Sequence, residues 1–192
     1  MKNTLSSLLF VALISGLLFP FPAMLVAQTD LSPGVGEGEL LGERPGGDAE
    51  MEQFQDWTVR CERVQEDGET VRVCEMLQQV TVEETGETIM EVAVGFVPER
   101  ELPVALFTVP LGVRLQPGLL LTVDENEPVR IAIEICGPDG CLASMLFDED
   151  MLNQFMRGAA GTVRIRDARD QSFDLPMSMM GFTAALERLR EQ

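Results

Sequence analysis

The chain has 192 residues and a formal net charge of −18, and its sequence contains neither histidine nor tyrosine. Lys2 is its one lysine, so removal of a leader would change the charge from −18 to −19 and leave arginine as the only basic residue type. The rest of the chain therefore offers no Ser-His, Cys-His or Ser-Lys pair, no Schiff-base lysine and no imidazole metal ligand. Such an acidic surface repels nucleic-acid phosphates and anionic lipid, which excludes a nucleic-acid partner.

Residues 1–27 are predicted to be a signal peptide. Lys2 provides a positive start, residues 8–18 (LLFVALISGLL) form an apolar core, Pro20 and Pro22 end it, and Ala27 is a small residue before the expected cleavage. Because the core is short and prolines follow it, a cleaved leader is favoured over an uncleaved anchor spanning residues 8–27. We expect an exported chain with no stable membrane span after cleavage.

The mature chain divides into a spacer and a domain. Residues 28–50 contain six glycines, two prolines and six acids, which predicts a flexible spacer, with a binding tail as the alternative. Residues 51–192 have the length of one domain.

Alternation of apolar and polar residues predicts that this domain is mainly β. In residues 129–135 the apolar side chains occupy every second position, so we expect one strand there with its isoleucines on a buried face. Short segments separated by Gly and Pro turns indicate a compact β-sandwich or barrel-like domain. The strand candidates are residues 54–61, 70–80, 88–97, 102–109, 119–123, 129–135, 142–147, 161–166 and 172–177.

Two short helices are expected as well. Asp148 is a candidate N-cap for a helix that continues to Arg157 and ends at Gly158, with acids in its first turn and arginine in its last. Near the C-terminus, the spacing of Phe182, Ala185, Leu186 and Leu189 predicts a helix with one apolar face packed on the sheet.

Cys61 and Cys74 are predicted to face each other across a hairpin. If Asp67 and Gly68 form a two-residue type I′ turn, the numbers of facing residues sum to 135, as do 61 and 74. The cysteines then form a non-hydrogen-bonded pair, whose short Cα separation a disulfide accepts. The same register places Arg63 opposite Arg72, a repulsion that a bulge or longer turn would relieve.

Cys136 and Cys141 flank a tight reversal, CGPDGC, in which Pro138 and Gly140 suit a turn. Four cysteines permit three connectivities, and the two local bridges are favoured. A redox-active pair is the alternative, but neither spacing is C-x-x-C and no cation lies in this loop. A four-thiolate zinc site is disfavoured by the spacing and by an oxidising compartment.

Two further clusters are candidate metal sites. Methionines 145, 151, 156, 177, 179 and 180 could ligate copper, but methionine at strand and helix positions more often fills a core. Residues 124–127 (DENE) could bind calcium, but they lack EF-hand spacing and favour a polar turn. We therefore predict no metal, no cofactor and no catalytic residue, and a structural disulfide role for Cys61, Cys74, Cys136 and Cys141.

Five motifs in order resemble the invasion-associated locus B (IalB) family of exported alphaproteobacterial proteins. They are W-x-V-x-C at 57–61, C-x-M-x-Q at 74–78, LGVRLQPGLLLTVD at 111–124, C-x4-C at 136–141 and LPMSMMGFTAAL at 175–186. The resemblance covers roughly residues 54–190 and implies a β-rich domain in the periplasm or at the outer membrane. It also implies no established enzymatic activity.

The predicted function is therefore that of an exported non-catalytic protein that binds an unknown envelope protein or surface component. Two alternatives stay open. One is a hydrolase that uses paired carboxylates, and the other is a thiol-disulfide oxidoreductase or folding factor that uses Cys136 and Cys141.

Overall fold

Residues 49–98 and 100–191 are described by a computed structural model, in which two antiparallel sheets and two helices surround one hydrophobic core. The predicted signal peptide and nearly all of the predicted spacer lie outside the described residues. Within the described part of the chain, no helix is both long and apolar enough to cross a bilayer.

The strands of both sheets follow one another mostly through short turns. The large sheet has the order β1-β2-β3-β4-β5-β9-β8, and the small sheet has the order β11-β10-β6-β7. The strands are β1 (Glu50–Phe54), β2 (Trp57–Glu66), β3 (Glu69–Thr81), β4 (Thr88–Gly95), β5 (Val104–Val109), β6 (Leu119–Val123), β7 (Val129–Ile131), β8 (Ile133–Gly137), β9 (Gly140–Leu146), β10 (Ala160–Arg166) and β11 (Ser172–Ser178).

The mainly β fold with two short helices is confirmed. Side chains that point inward from both sheets belong to one continuous cluster of buried residues. In the described chain neither sheet closes on itself, so of the two expected architectures the structure has the two-sheet one and not a barrel. Pro176 is accommodated because β11 lies at the edge of the small sheet, where a missing N–H breaks no ladder.

The predicted register of the first long hairpin is confirmed. Asp67 and Gly68 both have positive φ, 51° and 84°, as a type I′ turn requires. Cys61 is directly opposite Cys74, and the register continues outward without a bulge.

The prediction of one strand over residues 129–135 is wrong. The segment is divided at Ala132 between β7 in the small sheet and β8 in the large sheet. A register shift between Ile133 and Ile135 in the pairing with β9 adds one residue, and an added residue reverses which face the next side chain occupies. Ile131 is buried as expected, but Ile135 is 63% exposed.

Strand β1 was missed, because its sequence EMEQF lacks an alternating apolar face. It pairs with β2 and places Glu50 beside the two arginines that face each other across the hairpin. Glu50 carboxylate oxygens lie 3.6 Å from Arg63 Nη2 and 2.8 Å from Arg72 Nη2. The hydrogen bond from Arg72, followed by its charge, holds the pKa of Glu50 below its ordinary value. A third strand, and not a bulge, therefore relieves the Arg63/Arg72 repulsion.

Both predicted helices are present, α1 (Glu149–Arg157) and α2 (Phe182–Arg190). Asp148 caps α1, since its Oδ1 accepts a hydrogen bond from the Met151 N–H at 2.7 Å. The four apolar residues predicted for α2 are all buried. Phe182 packs edge-on against Trp57 with ring centroids 5.2 Å apart, and it also contacts Phe155 of α1. The aromatic rings thereby join both helices to the large sheet.

Candidate interaction surface

The four cysteines form two disulfides in the structure, Cys61–Cys74 and Cys136–Cys141, with Cα–Cα distances of 4.1 and 4.0 Å. Each bridge crosses a pair of residues that are directly opposite in a hairpin. In the second bridge Cys141 is buried whereas Cys136 is exposed on the edge strand β8. That both bridges form in the cell and serve a structural role stays a prediction.

Three of the five sequence motifs meet in a hydrogen-bond cluster between the two sheets, which we call the inter-sheet cluster (Asp56, Trp57, Gln78 and Ser178). Gln78 Nε2 donates to the carbonyls of Asp56 and Ser178 at 3.1 Å each, and its Oε1 accepts from the Ser178 N–H at 2.8 Å. Trp57 Nε1 donates to the same Ser178 carbonyl at 2.9 Å. Every polar atom of the buried Gln78 side chain is thus used to join β3 of the large sheet to β11 of the small sheet.

The residues weighed as metal ligands are used for packing and turns. Met145, Met177 and Met179 are buried in the core, Met151 and Met156 are packed against it, and Met180 is 58% exposed. The Asp124 carboxylate accepts hydrogen bonds from the N–H groups of Ala159 and Ala160, so it ties the turn after β6 to the start of β10. Within residues 49–98 and 100–191, no group of three His, Cys, Asp or Glu side chains is arranged to hold a metal ion.

The outer face of the large sheet has a mainly polar half, in which Val73 is nevertheless 50% exposed, and a half with more exposed apolar residues. In the polar half, on β2 and β3, Arg60 forms an ion pair with Glu75 directly across the hairpin and lies 3.4 Å from Glu62. Gln79 continues this half by donating a hydrogen bond to Glu91 on β4. These contacts satisfy the polar half internally.

The apolar half, on β5, β9 and β8, has few such partners, and we call it the apolar patch (Leu106, Ile135, Leu142 and Leu146). The exposed fractions of these side chains are 44%, 63%, 36% and 55% respectively. Ile135 is directly opposite Leu142, and Leu106, which is opposite Ser144, is a diagonal neighbour of both Leu142 and Leu146. Exposed apolar residues grouped in this way are typical of a surface that another molecule covers.

The apolar patch reaches a strand edge that is open in the described chain. Strand β8 is the last strand of the large sheet, and nothing among residues 49–98 and 100–191 pairs with its outer side. The opposite edge, β1, carries Glu50 and Glu52, and charged residues protect an edge from pairing with another chain. The exposed residues of β8 are Glu134, Ile135 and Cys136, and Glu134 accepts a hydrogen bond from Ser144.

The apolar patch and the open edge of β8 together form a surface that can bind a partner. An apolar sheet face beside an open strand edge can bind a partner through side-chain burial and through added main-chain hydrogen bonds. Hydrogen bonds from Arg72 and Arg164 are the main causes that lower the pKa of Glu50 and of Asp174, respectively, below their ordinary values.

Sequence reasoning missed the apolar patch because it assigned apolar strand residues to the core. A signal was nevertheless present in β5, whose sequence VALFTV is apolar over four consecutive residues instead of alternating. A continuous apolar run indicates a strand that is apolar on both faces. The exposure of Ile135 had no such signal, since it depends on the register shift in β8.

Comparison with known proteins gives concordant results. A family model described as "Invasion associated locus B (IalB) protein" matches residues 57–190. Invasion protein B homologs from Brucella abortus strain 2308 and from Brucella abortus biovar 1 strain 9-941 are each 28% identical over 150 residues, covering 76% of this chain and 83% of the relative. The crystal structure of invasion associated protein B from Bartonella henselae is similar in fold, with a TM-score of 0.65 and 23% identity over 74% of this chain and 95% of that chain.

Proposed function

The chain belongs to the invasion-associated locus B family, and from that membership we propose that it is an exported, non-catalytic protein that binds another protein of the cell envelope or surface. The two Brucella relatives have the names of invasion proteins and not of enzymes. Both disulfides and the predicted leader fit an oxidising compartment outside the cytoplasm, the periplasm or the outer surface.

The apolar patch is the observation that carries the proposal. Burial of apolar surface contributes about 25 cal/mol per Å², so four exposed aliphatic side chains on one face would provide a substantial part of an interface. The open edge of β8 adds backbone donors and acceptors that fix the register of an incoming strand. The proposed partner is therefore a protein that presents an extended segment with alternating apolar side chains.

The predicted spacer, residues 28–50, is proposed to give this domain freedom to reach its partner. The absence of histidine from the sequence, and of lysine after Lys2, supports a non-catalytic role because common nucleophile-base pairs cannot be formed. One rival has an observation in its favour. Cys136 is exposed beside the apolar patch, as the accessible cysteine of a disulfide-exchange protein would be.

A photo-cross-linking amino acid at Leu146, introduced in living cells, tests the binding proposal. Leu111 serves as the matched control position, because it is 57% exposed, within a few per cent of Leu146, but lies outside the patch. We expect one recurrent partner protein from Leu146 and not from Leu111, and we expect Ile135→Glu on the same chain to abolish it. Equal cross-linking from both positions would contradict the proposal.

The non-catalytic part is tested on the purified chain. Wild type and the Cys136→Ser/Cys141→Ser variant are compared for reduction of a test disulfide, and wild type is assayed on envelope glycans. We expect no turnover in either assay. Exchange activity that disappears in the double variant would establish the oxidoreductase rival, and glycan turnover would establish the hydrolase.

A further inference from the structure

A second feature, on the outer face of the small sheet, is unrelated to the apolar patch. A cavity of about 120 Å³ opens there, and Arg130, Arg164 and Arg166 are among the residues that line it. We call this cavity the arginine cleft, and its volume is well above the ~10–15 Å³ that a single water molecule needs. The three arginines come from β7 and β10, on either side of β6.

Each arginine of the cleft is held in place by its own partner. Arg164 makes a two-pronged contact with Asp174, with Nε–Oδ1 and Nη2–Oδ2 distances of 2.6 and 2.8 Å. Arg166 Nη1 donates to Asp170 Oδ1 at 3.2 Å, and Arg130 Nη1 donates to the Pro117 carbonyl at 3.0 Å. A guanidinium has five N–H donors, so these contacts orient the groups and leave further donors for a ligand.

The wall of the cleft is fixed by a glycine. Gly118 has a φ of 86°, and a Cβ at this position would overlap the carbonyl oxygen of Ile131. The segment before β6 therefore lies directly against the backbone of β7, which brings the Pro117 carbonyl within reach of Arg130. The proposed function assigns no role to residues 117 and 118, which belong to the 111–124 motif.

The lining of the cleft is cationic in an acidic chain. Three arginines and no acid line it, and two of these arginines are bonded to aspartates, so the lining with its partners has a net charge of +1 in a chain of −18. A small cationic site attracts a single anionic group, whereas the surrounding acidic surface repels a long polyanion such as a nucleic acid. The selected ligand is therefore a compact anionic group.

We infer that the arginine cleft is a binding site for a phosphate group, free or carried on a sugar or lipid headgroup. Planar guanidinium groups bind the oxygens of a phosphate through paired hydrogen bonds, and three of them converge here on one cavity. The site is independent of the proposed function, since it lies on the other sheet.

Phosphate titration of the ¹⁵N-labelled full chain at a constant ionic strength of ~0.1 M, where the Debye length is ~10 Å, tests this site directly. We expect saturable shifts of the Gly118 and Leu120 amides, and at least ~10-fold weaker binding in Arg130→Gln, because the variant loses one charged hydrogen-bond donor of the cleft. Arg157→Gln is the control, since it makes the same charge change at an exposed position at the end of α1. It should change the affinity less than ~2-fold, as expected for a screened distant charge.

Three probes distinguish the source of the phosphate. Inorganic phosphate, glucose 6-phosphate and phosphatidylglycerol vesicles each support the site if binding is saturable and weakened by Arg130→Gln, and the tightest of them indicates the carrier. Glucose is the neutral control. If Arg130→Gln does not fold, Arg166→Gln replaces it. Shifts caused by glucose, no amide shift with any probe, or equal losses in the cleft variant and Arg157→Gln would overturn the inference.

Discussion

Replacing Gln78 with methionine should strongly destabilise the domain, because its amide connects the two sheets. The side chain is 7% exposed and makes three hydrogen bonds, to the Asp56 carbonyl and to both backbone groups of Ser178. Methionine has nearly the same shape, so the substitution removes the polar contacts without creating a large cavity.

The expected loss of stability depends on whether each hydrogen-bond partner of Gln78 finds a replacement. The Ser178 N–H loses its acceptor, and an unsatisfied buried donor costs ~1–3 kcal/mol. The Ser178 carbonyl keeps its hydrogen bond from Trp57 Nε1, and the carbonyl of the exposed Asp56 can accept a hydrogen bond from water instead. The loss of these two bonds therefore adds only ~1 kcal/mol. We expect a decrease of about 2–4 kcal/mol in the free energy of unfolding.

Urea unfolding of the oxidised protein, followed by tryptophan fluorescence, measures this decrease. Gln79→Met is the matched control, because the neighbouring Gln79 is exposed and donates only to Glu91. The control should cost no more than ~0.5 kcal/mol, as for ordinary surface substitutions. If the two variants were equally stable, the assignment of the inter-sheet cluster as the connection between the sheets would be refuted.

Three further predictions concern the backbone, the bridges and pH. Gly181 has a φ of 91°, and a Cβ there would overlap the last carbonyl of β1, so Gly181→Ala should lower the free energy of unfolding by at least ~3 kcal/mol. Gly68→Ala should lower it by only ~1 kcal/mol, because Gly68 has a similar φ of 84° but lies in open space. Equal urea midpoints for the two variants would contradict this prediction. Replacing both cysteines of the Cys61–Cys74 bridge with alanine should lower the free energy of unfolding by ~3 kcal/mol, and the same change at the Cys136–Cys141 bridge by ~2 kcal/mol, because the bridged residues are 13 and 5 positions apart. Calorimetry that showed the reverse order would refute the loop-entropy estimate. Glu50→Gln should be less stable than wild type at neutral pH, because a carboxyl whose pKa is lowered in the folded state stabilises the fold at pH values above its ordinary pKa of 4.5. The difference in stability should disappear as the pH falls through the lower pKa of the folded state. A difference in urea unfolding that did not change with pH would exclude this cause.

Local chemistry determined a large part of this structure. The Asp67-Gly68 turn set the register of a whole hairpin, because positive φ at both positions permits only one alignment of the flanking strands. Asp148 defined the start of α1 through a bond to a residue three positions away. The spacing of apolar residues in α2 predicted its buried face. In each case the interacting residues are close in sequence, so the pattern itself contains the contact.

Tertiary structure decided what depends on distant residues. Gln78 and Ser178 are 100 positions apart, and neither sequence context shows that one buried amide will serve both sheets. The polar strand β1 exists because β2 offers it an edge, and Ile135 is exposed because a register shift against β9 reverses its face. The arginine cleft likewise requires β6, β7 and β10 to lie side by side. Period-two patterns specify that a strand has two faces, but only the pairing of strands decides which face meets the core and which is left for a partner.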